Sequence, residues 1–261
     1  AQPRRWQGAT AAAWRILAAA VVAQLGVSVV DQGIPTLVGF VKSETGVSAA
    51  QATLLISSFV LGRCVAAFPA GIAADRVGER RVLIAGGLGT GIAMAVASVT
   101  PATVLAIPLA VAGAISAAST PAGVRLVLTA FPANRHGLAL GIRQTAVPVG
   151  GLVAAAMLPL VAHVAGWRQA LLVSATIVAA SVVPLVLTPA PEPSANRVRR
   201  APRFNPLEHR NVVLLATWSS IFVSSMYAVV AFLALYLNER VGLSLASASA
   251  FVVIVQAAGI C

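Results

Sequence analysis

Long apolar stretches with few charges follow one another along almost the whole sequence. They cover residues 14–40, 53–72, 82–99, 102–128, 138–161, 170–187, 212–237 and 246–261. An α-helix needs about 20 mostly apolar residues to cross the ~30 Å hydrocarbon core of a bilayer. The sequence therefore predicts an all-α fold, a polytopic membrane helical bundle with seven spans and part of an eighth. The last stretch has 16 residues, so we expect the chain to be truncated within the eighth span.

The composition argues against a soluble protein. The chain is 59% hydrophobic and 10% charged, whereas a soluble domain needs a larger charged surface. The net charge of +11 comes from basic residues between apolar stretches, so we expect a lipid bilayer rather than nucleic acid as the partner. Cys64 and Cys261 have no metal-ligand or disulfide spacing, and no phosphate loop or catalytic triad is found. We therefore expect no enzyme, no cofactor and no metal.

Lysines and arginines are distributed unevenly over the segments between the spans. With a cytoplasmic N-terminus, 13 of the 18 basic residues lie in cytoplasmic segments and adjoining span ends. The external loops then hold Lys42, Arg168 and Arg240, and two more arginines, Arg63 and Arg125, lie within spans. Cytoplasmic loops of membrane proteins carry an excess of Lys and Arg. The sequence thus predicts a multi-pass protein of the inner (plasma) membrane with its N-terminus in the cytoplasm.

A basic, proline-rich segment divides the chain. Between Thr188 and Asn211 there are five prolines and five arginines, which disfavour a helix interior. The expected organisation is a first six-helix transmembrane half over residues 1–188 and a cytoplasmic linker over 189–211. Residues 212–261 are then the start of a second half, with span 7 and partial span 8.

A short internal repeat agrees with two halves. The segment ETGVS over residues 44–48 precedes span 2, and ERVGLS over residues 239–244 precedes span 8. Gly46 and Gly242 each fall in the predicted external loop of their half. Parallel six-span repeats are one plan on which transporters are built.

The loop between spans 2 and 3 concentrates glycine and charge. It reads GIAADRVGERR over residues 71–81. We expect Gly71 to let two helices approach closely and Gly78 to permit a tight turn with positive φ. Asp75 is an acid among bases, so it is expected to pair with a nearby arginine or to cap a helix N-terminus. The candidate partners are Arg76, Arg80 and Arg81.

This loop resembles the signature of the major facilitator superfamily, G-x-x-x-D-R-x-G-x-R-R, at six fixed positions. Other segments are similar to that family over nearly the whole chain, namely Asp31 with Pro35, Arg135 with Gly137 and Gly141, and Gly166-Trp167-Arg168. The resemblance implies that the loop's aspartate and arginines latch two halves together on the cytoplasmic side. It also implies that spans 1, 4 and 7 line a central pathway, flanked by spans 2, 5 and 8.

Two segments depart from particular branches of that family. Proton-coupled members often carry an arginine in span 4, four residues before a glycine; if that glycine is Gly113, the position holds Leu109. Drug antiporters carry G-P-x-x-G-G in span 5, whereas residues 147–151 read VPVGG. Both departures argue against a drug/proton antiporter.

Ionisable residues inside spans are costly and indicate function. Asp31 is expected in the outer part of span 1, where it could bind a cation or a proton or lie in the interface. Arg63 lies eight residues before Gly71, about 12 Å inside the membrane, and should face the bundle or a wet cavity. Arg125 lies near the cytoplasmic end of span 4, where its side chain can reach the surface.

Polar residues in the spans are further candidates for the solute or ion pathway, although polar side chains also bond helices to one another. They are Gln24, Gln32, Arg143, Gln144, Trp218, Tyr227 and Gln256.

The resemblance implies a secondary active transporter that moves a small solute across the cytoplasmic membrane by alternating access. An ion gradient is the expected energy source, since no nucleotide site is found. Arg63 favours an anionic solute. The alternative is a truncated, non-transporting membrane remnant or a membrane interaction module.

Overall fold

The chain folds into long helices, and no β-strand occurs in the part that the structure describes. A computed structural model describes residues 3–188, 210–244, 247–248, 250–251 and 254–255. The helices are α1 (Pro3–Thr45), α2 (Ala49–Val77), α3 (Glu79–Val99), α4 (Ala106–Ser116), α5 (Ser119–Ala130), α6 (His136–Gln144), α7 (Ala146–Ala165), α8 (Trp167–Ala180), α9 (Val183–Leu187) and α10 (Arg210–Glu239), with a 3-10 turn at Ala133–Arg135.

Six described segments are long and apolar enough to cross a membrane. They are span 1 (Ala11–Thr45), span 2 (Ala49–Val77), span 3 (Glu79–Val99), span 4 (Ala106–Ala130), span 5 (Ala133–Ala165) and span 6 (Trp167–Leu187). Helix α10 occupies the predicted seventh span and has an apolar stretch at Val213–Met226. The predicted linker and the predicted eighth span fall largely outside the described residues.

Three of the spans consist of two consecutive helices. Span 4 is divided between α4 and α5, span 5 between α6 and α7, and span 6 between α8 and α9. Proline explains two of these breaks, because it lacks an N–H and is tolerated in the first turn of a helix. Pro148 lies in the first turn of α7, and Pro184 is the second residue of α9.

Span 1 is the central helix of the bundle. In its most apolar window 67% of the residues are buried, against 22% in span 2. It packs most extensively against α7 of span 5 and also contacts spans 2, 4 and 6. Five polar side chains are nevertheless buried on it: Gln24, Ser28, Asp31, Gln32 and Thr36.

The turn between spans 2 and 3 defines what we call the motif end of the bundle, the end that carries residues 71–81. Gly78 has a φ of 99°, which confirms the predicted positive φ. Its N–H donates to the carbonyl of Ala74, so it closes α2 directly before α3 begins. The far end of the bundle is called the opposite end.

The two turns of the short repeat have the same local structure. Gly46 and Gly242 both have positive φ, 68° and 77°. Two residues later a serine side chain accepts a backbone hydrogen bond: the N–H of Gln51 donates to the Oγ of Ser48, which caps α2, and that of Ser247 donates to the Oγ of Ser244.

Spans 2 and 4 approach each other closely at two glycines. A Cβ on Gly62 would lie 2.0 Å from the carbonyl oxygen of Ala110, and one on Gly113 would lie 2.0 Å from that of Phe59. The prediction that Gly71 serves a close approach is wrong, because no described atom of another helix lies within 4 Å of its Cβ position. Gly71 is in the last turns of α2, beyond the point where spans 2 and 4 cross.

Candidate functional site

The structure joins two of the predicted pathway residues in an ion pair. Nη1 of Arg63 on span 2 donates to Oδ2 of Asp31 on span 1 at 2.5 Å. The Asp31 side chain is 7% exposed and that of Arg63 is 24% exposed. The expectation that Arg63 faces the bundle therefore agrees with the geometry, and its contact there is an acid.

The pair lies halfway along α2 and about two-thirds of the way along α1. Asp31 is 14 residues before Thr45, the end of α1, and Arg63 is 14 residues after Ala49, the start of α2. At 1.5 Å per residue each lies about 21 Å from the opposite end. Asp31 is 20 residues after Ala11, the start of span 1, so it is nearer to the opposite end than to the motif end. Its position in the outer part of span 1 stays a prediction.

A cavity of about 520 Å³ is lined by residues of α1, α2 and α10, and Asp31 is the member of the ion pair that lines it. Its wall is mostly apolar, with one carboxylate, two serines and a thiol. The polar lining residues are Asp31, Ser57, Ser58 and Cys64, and the aromatic ones are Phe59 and Phe232. Volumes of roughly 300–1,000 Å³ with a few placed polar groups are typical of small-molecule sites.

At the motif end, Asp75 pairs with Arg125 of span 4. The predicted partners of Asp75 in its own loop were therefore wrong, and the cause is tertiary: the C-terminal part of α5 packs beside this turn. Nε of Arg125 also lies 4.0 Å from Oε1 of Glu79. Both members of the Asp75–Arg125 pair are about half exposed.

The other motif residues have different surroundings. Nε of Arg80 donates to the carbonyl of Leu185 at 2.8 Å, and Nη2 to that of Val186 at 3.0 Å. These carbonyls belong to the last turn of span 6, where a cation is favourable. Arg76 and Arg81 are exposed.

Arg143 forms a second polar cluster, inside the six-span bundle. It is 2% exposed, and its Nη2 donates to Oε1 of Gln24 at 2.5 Å and to the carbonyl of Ser119 at 3.0 Å. Nε2 of Gln24 in turn donates to Oγ of Ser28 at 3.3 Å. Spans 1, 4 and 5 are thus connected through one guanidinium.

The remaining candidates are not brought together. Gln32 is buried on span 1, whereas Gln144 and Trp218 are exposed. The side chain of Tyr227 and all of Gln256 lie outside the described residues. Sequence reasoning missed Ser119, for which a polar residue in the middle of an apolar span was the available signal.

Among the residues that the structure describes, no group of three or more His, Cys, Asp or Glu side chains is arranged to hold a metal ion.

Comparison with known proteins gives a consistent result. The sequence profile of the Major Facilitator Superfamily matches residues 16–261. An uncharacterized MFS-type transporter of Mycobacterium tuberculosis is 30% identical over 233 residues, which cover 87% of this chain and 52% of that protein. The puromycin resistance protein of Streptomyces alboniger is 28% identical over 200 residues, which cover 76% of this chain and 38% of that protein. The chain thus spans about half the length of the mycobacterial relative.

Solved structures show the same fold at low sequence identity. A bacterial homolog to the human lysosomal transporter Spinster, in an inward-facing and occupied conformation, matches with a TM-score of 0.72 and 17% identity, over 98% of this chain and 59% of that one. A D-xylose–proton symporter matches with a TM-score of 0.61 and 13% identity, over 95% and 66%. These identities bear on the fold alone. The profile match over almost the whole chain, joined to the membrane-spanning bundle and the loop at residues 71–81, establishes that this chain belongs to the Major Facilitator Superfamily, a family of membrane transporters and not of enzymes.

Proposed function

We propose that this chain supplies the first half, the linker and the beginning of the second half of a secondary active transporter. The whole protein would move a small solute across the inner membrane by alternating access, driven by an ion gradient. Residues 1–188 would form the first half, 189–211 a cytoplasmic linker and 212–261 the start of the second half. Such transporters hold their solute near the bilayer midplane between two halves.

The observation that carries the proposal is the Asp31–Arg63 ion pair beside the cavity. Charged side chains at this depth cost at least about 2.5–3.5 kcal/mol each and mark solute or ion pathways. The pair joins spans 1 and 2, while Phe232 of α10 lies across the cavity. A solute in this cavity would therefore contact both proposed halves.

The pair offers a way to couple solute, ion and conformation. An anionic group on a solute could take Arg63, and a proton on Asp31 would weaken the attraction between the two side chains. Among the described residues, Asp31 is the one carboxylate that the spans carry away from their ends. Breaking the pair would loosen the contact between spans 1 and 2 beside the cavity and so change the surface that the first half presents there.

The solute panel for testing this proposal follows from the site and from one relative. Arg63 favours organic anions, so small carboxylates and phosphate esters form the first group. The name of the Streptomyces relative refers to puromycin. Puromycin is an amphipathic amine, so it represents cationic solutes in the panel. The span 4 and span 5 departures at Leu109 and residues 147–151 argue against drug/proton antiport, so we expect the anionic group to contain the solute.

The test measures solute flux by the full-length protein in reconstituted vesicles with an imposed ion gradient. We expect Arg63→Met to abolish flux while membrane expression remains normal, because the solute contact and the gate are both lost. Arg63→Lys should reduce flux less, since it retains the charge but loses the planar guanidinium. Arg15→Met, which replaces an exposed arginine of span 1, should transport normally.

A double variant distinguishes a role of the ion pair in transport from a purely structural role in which each charge only balances the other. Removing one partner of a buried ion pair typically costs about 3–5 kcal/mol because the other charge is left uncompensated. If the pair were only structural, Asp31→Asn combined with Arg63→Met would restore both the thermal stability lost in Arg63→Met and the flux. We expect restored stability without flux; normal flux in Arg63→Met or in the double variant would contradict the proposed role.

A further inference from the structure

Arg143 carries a full positive charge inside the first six spans without an acidic partner. Among the described residues, no carboxylate forms an ion pair with it, and both of its hydrogen-bond acceptors are neutral, Gln24 Oε1 and the Ser119 carbonyl. Asp31 already contacts Arg63. Among the described residues, the interior of the bundle thus holds one more cation than anion. A buried charge without a counter-charge is strongly unfavourable.

Two polar atoms at this cluster also lack hydrogen-bond partners in the described part of the chain. They are Nε of Arg143 and Oγ of Ser119, both fully buried. Each carries a hydrogen that can be donated. Ser119 is also the residue whose carbonyl receives Nη2 of Arg143. A cationic N–H and a hydroxyl at the same cluster therefore both need an acceptor.

The fold holds the guanidinium in place. Gly123, one turn after Ser119 on α5, leaves the room that it occupies: a Cβ there would lie 2.3 Å from Nη2 and 2.8 Å from Nε and Cζ of Arg143. Arg143 is ten residues from Ala133, the start of span 5, or about 15 Å from the motif end.

We propose that Arg143 and Ser119 form a binding site for a small monovalent anion inside the first half. The Nε–H and the Ser119 hydroxyl would donate to the anion, and its charge would balance the guanidinium. A water molecule could satisfy the two donors but not the charge, which is why an anion is the expected occupant. The anion is either inorganic, such as chloride, or the carboxylate of an organic solute.

This site is separate from the Asp31–Arg63 cavity, so the inference does not depend on transport. Its test measures binding. The full-length protein, purified in detergent, is unfolded thermally while chloride or acetate replaces isethionate, a bulky sulfonate, at constant sodium and ionic strength. An anion that binds the folded state alone raises Tm in a saturable manner, here by roughly 2–5 °C.

Variants of the cluster locate the effect. Arg143→Met should unfold at a higher temperature than the wild type in isethionate, since an unbalanced charge is removed, and should not respond to chloride or acetate. Arg143→Lys keeps the charge without Nε and should need at least a tenfold higher anion concentration. Gly123→Ala should weaken the response by displacing the guanidinium. Gly141→Ala, in open space on α6, should respond like the wild type.

Each outcome decides the matter. A response to both chloride and acetate identifies a small-anion site, and a response to acetate alone assigns the site to a solute carboxylate. If the wild type responds to neither anion, or if Arg143→Met retains the full response, the proposal is wrong and the cluster is a hydrated structural contact. If Arg143→Met does not fold, Ser119→Ala is used instead. The site is then contradicted if Ser119→Ala reaches half of its anion-dependent rise in Tm at the same anion concentration as the wild type.

Discussion

At the level of single residues, the exposure of the Asp75–Arg125 ion pair indicates how much the pair contributes to stability. Asp75 is 56% exposed and Arg125 is 48% exposed, so water and salt screen the pair. Exposed ion pairs contribute about 0–1 kcal/mol. We expect Asp75→Asn and Arg125→Gln each to lower the free energy of unfolding by less than about 1 kcal/mol, as measured by denaturant titration of the purified full-length protein.

Both residues belong to the proposed first half, so the pair can serve a latch between the halves only by holding the loop at residues 71–81 in position. In that role the pair should matter far more for transport than for stability. Flux should fall strongly in both single variants and return in part when the charges are exchanged, in Asp75→Arg with Arg125→Asp. Arg81→Gln, an exposed arginine of the same loop, is the control for stability. Equal losses of stability and flux, with no recovery on exchange, would show that the pair is merely a fold contact.

The sequence was sufficient to single out candidate site residues, but it did not show which of them contact each other. The depth of Arg63 in an apolar stretch was enough to predict that it faces the bundle, because lipid does not solvate a guanidinium. Its partner Asp31 lies 32 positions away on the preceding helix, and the pairing depends on how the two helices are rotated. Asp75 was assigned to neighbours in its loop for the same reason: Arg125 approaches it only after span 4 has packed.

At the level of whole helices, spans 3 and 6 contact each other through an arginine at each end. One arginine belongs to span 3 and the other to span 6. Arg80, at the start of α3, donates to the last carbonyls of span 6. Arg168, at the start of α8, donates from Nη1 to the carbonyls of Ser98 and Thr100, at the end of α3, at 2.8 and 3.0 Å. The Arg168 guanidinium also lies 4.5 Å from the ring centroid of the buried Trp167.

These two contacts satisfy carbonyls that a helix end leaves without internal partners. We expect Arg80→Gln and Arg168→Gln each to lower the free energy of unfolding by about 0.5–1.5 kcal/mol. The contacts are about 30 Å apart along α3, so their effects should add within roughly 0.5 kcal/mol in the double variant. Arg76→Gln, at an exposed arginine without such carbonyls, should leave stability unchanged; strong non-additivity would mean that spans 3 and 6 shift as one body.

The elements themselves follow closely from hydropathy, because lipid tolerates only helices whose backbone bonds are satisfied internally. The contacts between them follow less closely. The close approach of spans 2 and 4 was missed, although Gly62 with Ala66 and Gly113 with Ala117 show the small-x-x-x-small spacing of packed membrane helices. Gly71 was chosen instead because it belongs to the conspicuous loop, and composition does not say which face of a helix meets a neighbour.

For the molecule as a whole, orientation in the membrane remains a prediction that rests on charge. The bundle places residues 71–81, the end of span 4 and the end of span 6 together at the motif end. The predicted linker follows directly on span 6, so it emerges at that same end. The sequence assigns 13 of the 18 basic residues to this side; Arg143, one of them, lies inside the bundle, which leaves 12. Positively charged loops are retained in the cytoplasm. The motif end should therefore face the cytoplasm.

Single cysteines test that orientation, once Cys64 and Cys261 have been replaced. The probe positions are Val77 at the motif end, Ser194 in the linker and Ser43 at the opposite end. Val77 is preferred to Gly78, whose φ of 99° disfavours any side chain. A membrane-impermeant maleimide should label Ser43→Cys in intact cells, and the other two variants only after permeabilisation. Because the three sites belong to one rigid topology, labelling of Val77→Cys and Ser194→Cys in intact cells, with protection of Ser43→Cys, would place the N-terminus outside and move the proposed latch to the external face.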